Sequence, residues 1–298
     1  MNILILGGNS FIGSHLIKRL AKANHKVTSF SRKEIKIKLA NVNYIQGDFN
    51  KRQDVKNALK GMDIVIHLIV SSSPRSSNNS IQIDLETNLI NTIQLLELMK
   101  EENIKKIIFP SSGCSVYGNN SCANELSSLE PSSSYGIIKL AIEKYLKLYE
   151  LIYEIEALIF RVSCVYGPAY KKIGSQGIIS TTLHKLRNNT PLSIWGDGNS
   201  IRDFIFIDDL VDLFENSIMS FKKGIYNAGS GIGYSVLDII SICEKVTKKS
   251  TKIDYFTAVK GDLTEIVLDQ INTEHQLGWR TKTSIEKGIE LCWAEMKS

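Results

Sequence analysis

Asn2-Ile3-Leu4-Ile5-Leu6-Gly7-Gly8-Asn9-Ser10-Phe11-Ile12-Gly13 is the stretch that decides the fold. Its first five residues form a nearly unbroken apolar run, the pattern of a short strand buried on both faces. The run stops at two glycines, and Ile12, Leu16, Ile17 and Leu20 then recur at helical spacing. A strand that turns through glycine into a helix leaves the unpaired N–H groups of the helix start pointing beyond the strand end. A pyrophosphate satisfies those donors. Gly13 allows the helix to pack closely on the sheet. In this G-x-x-S-x-x-G pattern Ser10 stands where a middle glycine is expected, and it brings a Cβ toward the phosphates. The stretch predicts dinucleotide binding through Gly7, Ser10, Phe11, Ile12 and Gly13.

Outward from this start, residues 27–30, 44–46, 63–70 and 106–110 read as further strands. Residues 55–59, 85–99 and 135–149 between them carry helical periodicity. Strands alternating with crossover helices predict an α/β fold, a doubly wound parallel sheet of the Rossmann type. The texture changes after Pro168: a polar segment and a helix precede the Gly196-Asp-Gly198 turn. A strand at 204–207 and helices near 209–220 and 236–247 follow. We expect a dinucleotide-binding domain over 1–165 and a smaller C-terminal α/β substrate domain over 166–298. The boundary is expected to interleave, with residues 202–210 returning to the main sheet. Ser/Asn-rich residues 71–80 read as a mobile loop.

Composition narrows the function classes. The 298 residues are 43% hydrophobic, enough for a sizeable core. The formal net charge of +5 comes from cations spread along the chain, with no dense basic stripe, so nucleic acid is not an expected partner. Cys114, Cys122, Cys164, Cys243 and Cys292 lie far apart, without metal-ligand spacing, so neither metal nor disulfide is expected. The start lacks a basic n-region and no apolar run spans a bilayer, which predicts a cytoplasmic protein without membrane attachment.

The second strand ends in Phe30-Ser31-Arg32-Lys33. A carboxylate there binds the ribose 2′-OH of NAD, and an arginine accommodates a 2′-phosphate. Ser31 and Arg32 therefore predict NADP(H), with NAD as the alternative. Asp48 and Phe49, after the third strand, are positioned to flank the adenine. Tyr135 and Lys139 stand four residues apart, on one helix face. A phenol titrates near 10, and a nearby ammonium favours its ionised form. Ser111-Ser112-Gly113 follows the fourth β-rich run after the glycine turn, at a strand end where ligands bind in open α/β sheets.

These motifs resemble the extended short-chain dehydrogenase/reductase family, in its UDP-glucose 4-epimerase-like branch. The likeness runs through Gly7 to Gly13, Asp48, Asn88, Ser111 to Gly118, Tyr135/Lys139 and Arg161 to Pro168. It continues through Trp195 to Gly198, Ile201 to Asp209, Tyr226 to Ser230 and Leu277-Gly-Trp279. The resemblance implies that Tyr135 is the acid/base and that Lys139 orients the cofactor. It implies that Leu68, Asn88 and Ser111 line the cofactor cleft, and that Gln176, Trp195, Arg202 and Lys260 bind a nucleotide-diphosphate sugar. A salt bridge to Asp203 or Asp209 is the bland alternative for Arg202. The resemblance also implies a homodimer, for which the helices offer Leu89, Ile93, Leu96, Ile142, Leu146 and Tyr149, with burial of these residues beneath the second domain as the alternative.

The chain departs from the family in ways that bear on the reaction. Gly113 stands where Ser or Thr is usual, so Ser112 or Ser115 has to supply the hydroxyl. Cys114-Ser115 replaces the Asp-Glu pair of the 4,6-dehydratases, which argues against dehydration. Cys164 replaces an asparagine, and Val259-Lys260 an arginine. The basic strand end favours an NADPH-dependent 4-ketoreductase of a nucleotide-diphosphate 4-keto-6-deoxyhexose. The alternative is a C4 epimerase holding NAD tightly, and a more remote one is a non-catalytic dinucleotide-binding protein.

Overall fold

The structure, a computed structural model, describes residues 1–23, 25–34, 38–168, 177–258 and 261–297. Two compact units interleave along the chain: Met1–Val116 with Pro131–Arg161 and Phe214–Tyr226, and Tyr117–Glu130 with Val162–Leu213 and Asn227–Ser298.

The first unit is built on a seven-stranded parallel sheet. Its order is Gly224–Ala228, Glu156–Val162, Lys106–Ser112, Ile64–His67, Asn2–Leu6, Lys26–Ser31, Val42–Gln46. Ile3 pairs with Val27 on one side and with Ile64 on the other, so the opening strand is central. Its apolar run is accordingly buried on both faces, and Ile3 to Leu6 are fully covered. The strand order reverses between Asn2–Leu6 and Ile64–His67, and in such sheets ligands bind outside the carboxyl ends at that reversal.

The helix Ser134–Tyr153 starts at Ser133, whose side chain accepts from the Gly136 N–H at 3.2 Å. It ends at Glu154, in the left-handed region with φ 57°. Ile138, Ile142, Leu146 and Tyr149 recur at helical spacing and pack into the main core with Leu95, Leu98 and Met99. Each such side chain contributes about 1.5–3 kcal/mol on burial. The helix expected over 85–99 is longer and composite. Ile81–Asp84 leads into a π-helical turn, Leu85–Ile90, and then into Asn91–Glu101. Wide turns of this kind recur at functional sites, and this one carries Asn88.

Two expectations are corrected here. Residues 71–80 hold a short helix, Pro74–Ser77, closed by a capping box at Ser73. Serine and asparagine there serve as caps, a local chemistry that composition does not distinguish from that of a loop. Residues 202–210 do not return to the main sheet. Ile201–Phe206 lies in the second unit's sheet, between Gly233–Ser235 and Glu265–Leu268, with Cys164–Tyr166 alongside. Gly224–Ala228 is the segment that joins the main sheet. A short apolar run fits either sheet, and only its hydrogen-bonded neighbours decide which.

In the second unit Asn120–Ala123 completes that sheet, and Leu192–Trp195 pairs with Ile253–Phe256. Asp203 is fully buried and accepts from the N–H groups of Ser230, Gly231 and Leu268 and from the Ser230 hydroxyl. Burial pushes its carboxyl up and these donors hold it down. Among the described residues no helix is long and apolar enough to cross a membrane.

Candidate active site

At the first turn Ser10 has φ −70° and ψ 168°, a backbone that any residue adopts. It is the N-cap of the helix Phe11–Leu20, and its hydroxyl accepts from the Gly13 N–H at 3.1 Å. The departure from the glycine pattern thus replaces flexibility by a cap. The N–H groups of Phe11 and Ile12, in the same first turn, are the donors this helix offers a pyrophosphate. Gly13 is required by contact: a Cβ there would run into the carbonyl oxygen of Gly7 and lie 2.9 Å from Gly8 Cα.

At the end of the second strand Ser31 is buried, donates to the Lys33 carbonyl at 2.8 Å and accepts from Asn9 Nδ2 at 3.0 Å. Arg32 is exposed beside it. Asp48 is half-buried and accepts from the N–H and side-chain amide of Asn50. Phe49, read as an adenine neighbour, is instead a core residue. Its ring lies 5.1 Å from His67, and it is buried in the main cluster. His67, between Phe49 and Phe109, is held neutral by burial, its pKa lowered to about 3.

A small cavity in the first unit is lined by Ile69, Val70, Ser72, Asn88, Phe109, Tyr135, Ile138, Lys139 and Ile142. It brings together three residues assigned to the cofactor cleft from the sequence: Asn88, Tyr135 and Lys139. Leu68 is buried one residue before the lining. Lys139 is only 6% exposed, donates to the Pro110 carbonyl at 2.8 Å and lies over the rings of Phe109 and Tyr135, at 4.4 and 5.7 Å. Burial lowers its pKa to about 8, against a smaller opposing pull from Glu143. The ammonium is therefore present at neutral pH, yet close to its titration point.

Ser112 donates to Ser115 Oγ at 3.1 Å, so the two serines proposed to replace the missing hydroxyl form a pair. Gly136 lets the tyrosine helix lie directly on the Ser115 carbonyl, which puts that turn beside Tyr135. Ser111 is different: its hydroxyl donates to Glu143 and is buried, so it supports the site from behind.

Sequence reasoning passed over Glu143 and named Arg161 only as the start of a family-like stretch, without a role. Arg161 donates from Nε and Nη2 to the Glu143 carboxylate, with Nη2 at 2.7 Å from Oε2, and both side chains are almost completely buried. The signal was available, since Glu143 lies four residues beyond Lys139, on the helix face that carries Ile142 and Leu146. It also passed over Ser77, Asn78 and Asp84, which hold the start of the tyrosine helix. Tyr135 N donates to Ser77 Oγ at 3.1 Å and Ser134 N to Asn78 Oδ1 at 2.9 Å. Nothing in the sequence links residues more than fifty positions apart.

In the second unit, Arg202 is half-buried and donates to the Ile201 and Leu263 carbonyls at 2.8 and 2.7 Å. Asp203 and Asp209 have other donors: Asp203 those described above, and Asp209 the N–H groups of Lys282 and Thr283. Trp195 is exposed and stacks on Phe256, with ring centroids 5.6 Å apart. Gln176 and Lys260 lie outside the described residues.

The profile of the NAD dependent epimerase/dehydratase family matches residues 3–229. A relative in Methanocaldococcus jannaschii named putative UDP-glucose 4-epimerase is 33% identical over 97% of this chain and 96% of its own. The dTDP-4-dehydro-6-deoxyglucose reductase of Escherichia coli is 29% identical over 97% and 95%. The solved UDP-glucose 4-epimerase of Thermus thermophilus, a complex with NAD, superposes with a TM-score of 0.94 at 25% identity, over 100% of this chain and 99% of that one. With a glycine turn after the first strand, a Tyr/Lys helix and a parallel sheet all in place, the chain belongs to the NAD-dependent epimerase/dehydratase family.

Proposed function

We propose that this protein is a nucleotide-diphosphate-sugar C4 epimerase. The observation that carries the reading is the meeting of Tyr135, Lys139 and Asn88 around one cavity beside the sheet. The residues present fit a nicotinamide dinucleotide, because the glycine turn leads from the central strand Asn2–Leu6, at the reversal of strand order, straight into the helix Phe11–Leu20, whose first turn offers N–H donors to a pyrophosphate. Gly7, Ser10, Phe11, Ile12 and Gly13 hold its phosphates, and Ser31, Arg32 and Asp48 its adenosine half. Bound there, the nicotinamide supplies reversible hydride exchange. Tyr135 takes the proton from the sugar O4 and later returns it. Lys139, a cation 5.7 Å from the phenol ring, favours the ionised phenol that this requires. Ser112 and Ser115 orient the reacting oxygen by hydrogen bonding. In the second unit Arg202, with a planar fork of donors, binds the diphosphate, and Trp195, Gln176 and Lys260 bind the rest of the sugar nucleotide.

The 4-ketoreductase expected from Ser31-Arg32 becomes the second reading. The relative named as an epimerase is more similar than the one named as a reductase, which supports the epimerase. The absence of a carboxylate from Ser31 to Lys33 is what favours the reductase and NADP(H). Incubating the protein with UDP-glucose, without added cofactor and with NAD, distinguishes the two readings. Appearance of the C4 epimer without net change in nicotinamide absorbance is expected. Stoichiometric oxidation of NADPH by a nucleotide-linked 4-keto-6-deoxyhexose, with no epimer formed in the other arms, overturns it.

The assembly we infer is a homodimer. Leu96, Ile142, Leu146 and Tyr149 are buried inside the unit and Leu89 and Ile93 half-buried, so other positions have to supply the contact. Ile137, Tyr145, Leu148 and Ile152 recur at helical spacing on the exposed face of the tyrosine helix, with Leu151 81% exposed beside them. A monomeric mass by light scattering refutes the dimer.

A further inference from the structure

Asp84 is a carboxylate only 4% exposed, in a chain segment otherwise rich in exposed apolar residues. Each of its oxygens takes one donor. Oδ1 accepts from Asn88 Nδ2 at 2.6 Å, and Oδ2 accepts from Ser134 Oγ at 2.9 Å. Asn88 lines the cavity and sits in the π-helical turn. Ser134 is the first residue of the helix whose second residue is Tyr135. A single buried side chain thus joins the two walls of the cavity that carry Asn88 and the phenol.

The placement has a physical logic beyond the two hydrogen bonds. The first turn of the tyrosine helix presents unpaired N–H groups, and a carboxylate beside them is favoured by the helix dipole. Three of those groups have side-chain acceptors, Asn78, Ser77 and Ser133. Asp84 adds a link that runs from this turn to Asn88. An amide at position 84 keeps one oxygen for Asn88 and presents an NH2 where Oδ2 stands, so the Ser134 hydroxyl has to reverse and accept; a hydrophobic residue makes neither bond.

We propose that Asp84 is a positioning residue that locks the phenol of Tyr135 in register with Asn88 across the cofactor cavity. The proposal rests on Tyr135 being the acid/base of the reaction above. Proton transfer demands an aligned phenol, and a displacement of about 1 Å in a reacting group costs about a hundredfold in rate. Binding of the sugar nucleotide does not depend on that alignment, so the loss falls on kcat and spares KM.

The test uses the purified full chain loaded with dinucleotide, as wild type, Asp84→Ala, Ser134→Ala and the double variant. In Asp84→Ala, kcat is expected to fall about 10- to 100-fold with KM within about threefold. The double variant is expected to be no slower than Asp84→Ala alone, because both changes break the same link. Hydrogen–deuterium exchange provides a readout independent of the substrate. Amides at the start of the tyrosine helix are expected to exchange about tenfold faster in Asp84→Ala, with the strand Asn2–Leu6 unchanged. Local loosening with no turnover by the wild type on any nucleotide sugar refutes the functional reading and leaves the link intact. Unchanged exchange together with kcat within twofold of wild type overturns the proposal, as does a proportionate rise in KM with kcat unchanged. If Asp84→Ala does not fold, Ser134→Ala decides alone, since it removes one donor and leaves the carboxylate its Asn88 partner.

Discussion

Replacing Lys139 by methionine should make this protein more stable while destroying its activity. The ammonium is buried, and burial lowers its pKa from 10.5 to about 8 despite the opposing pull of Glu143. Below pH 8 the lysine is charged in both folded and unfolded chains, and the shift corresponds to about 3 kcal/mol of folding free energy lost. Between pH 8 and 10.5 the unfolded chain binds more protons than the folded one, so this contribution makes stability rise with pH. Above 10.5 the loss is gone. Methionine fills similar space without a charge, but forfeits the hydrogen bond to the Pro110 carbonyl, about 1 kcal/mol. The variant should thus exceed wild type by about 2 kcal/mol at pH 7, and the gap should close by about pH 10. Urea unfolding of both proteins without dinucleotide, at pH 7 and pH 10, measures it, and the other titrating groups cancel in the difference. A wild type more stable than the variant at pH 7, or a gap that does not narrow with pH, refutes the reasoning.

Four further outcomes are expected. Glu143→Ala leaves the Arg161 guanidinium buried without its counter-charge, and should cost about 3–5 kcal/mol in urea unfolding. Breaking the exposed Arg52–Glu101 pair by Arg52→Ala should cost less than about 1 kcal/mol. Gly13→Ala, whose methyl would meet the backbone of Gly7 and Gly8, should weaken dinucleotide binding at least about tenfold by calorimetry. On the NADP(H) reading, Arg32→Ala should weaken NADPH binding about tenfold and leave NADH within about twofold, since an arginine at this strand end accommodates a 2′-phosphate.

Much of this protein is written in local patterns. The opening strand, its glycine turn and the amphipathic helix after it are legible because each depends on neighbours within a few residues. Hydrophobic period marks the strand, a missing Cβ the turn, and 3.6-residue spacing the helix. Tyr135 and Lys139 are legible for the same reason, because a four-residue spacing on a helix fixes their common face. Tertiary structure alone decided what lies at long sequence separation. It assigned Ile201–Phe206 to the second sheet and Gly224–Ala228 to the first, since a short apolar run pairs equally well with many partners. It turned Phe49 inward, made Ser10 a cap, and brought Ser77, Asn78 and Asp84 to the start of a helix fifty or more residues away. It also set the lowered pKa of Lys139, because desolvation depends on the atoms packed around the ammonium and not on the residues beside it in the chain.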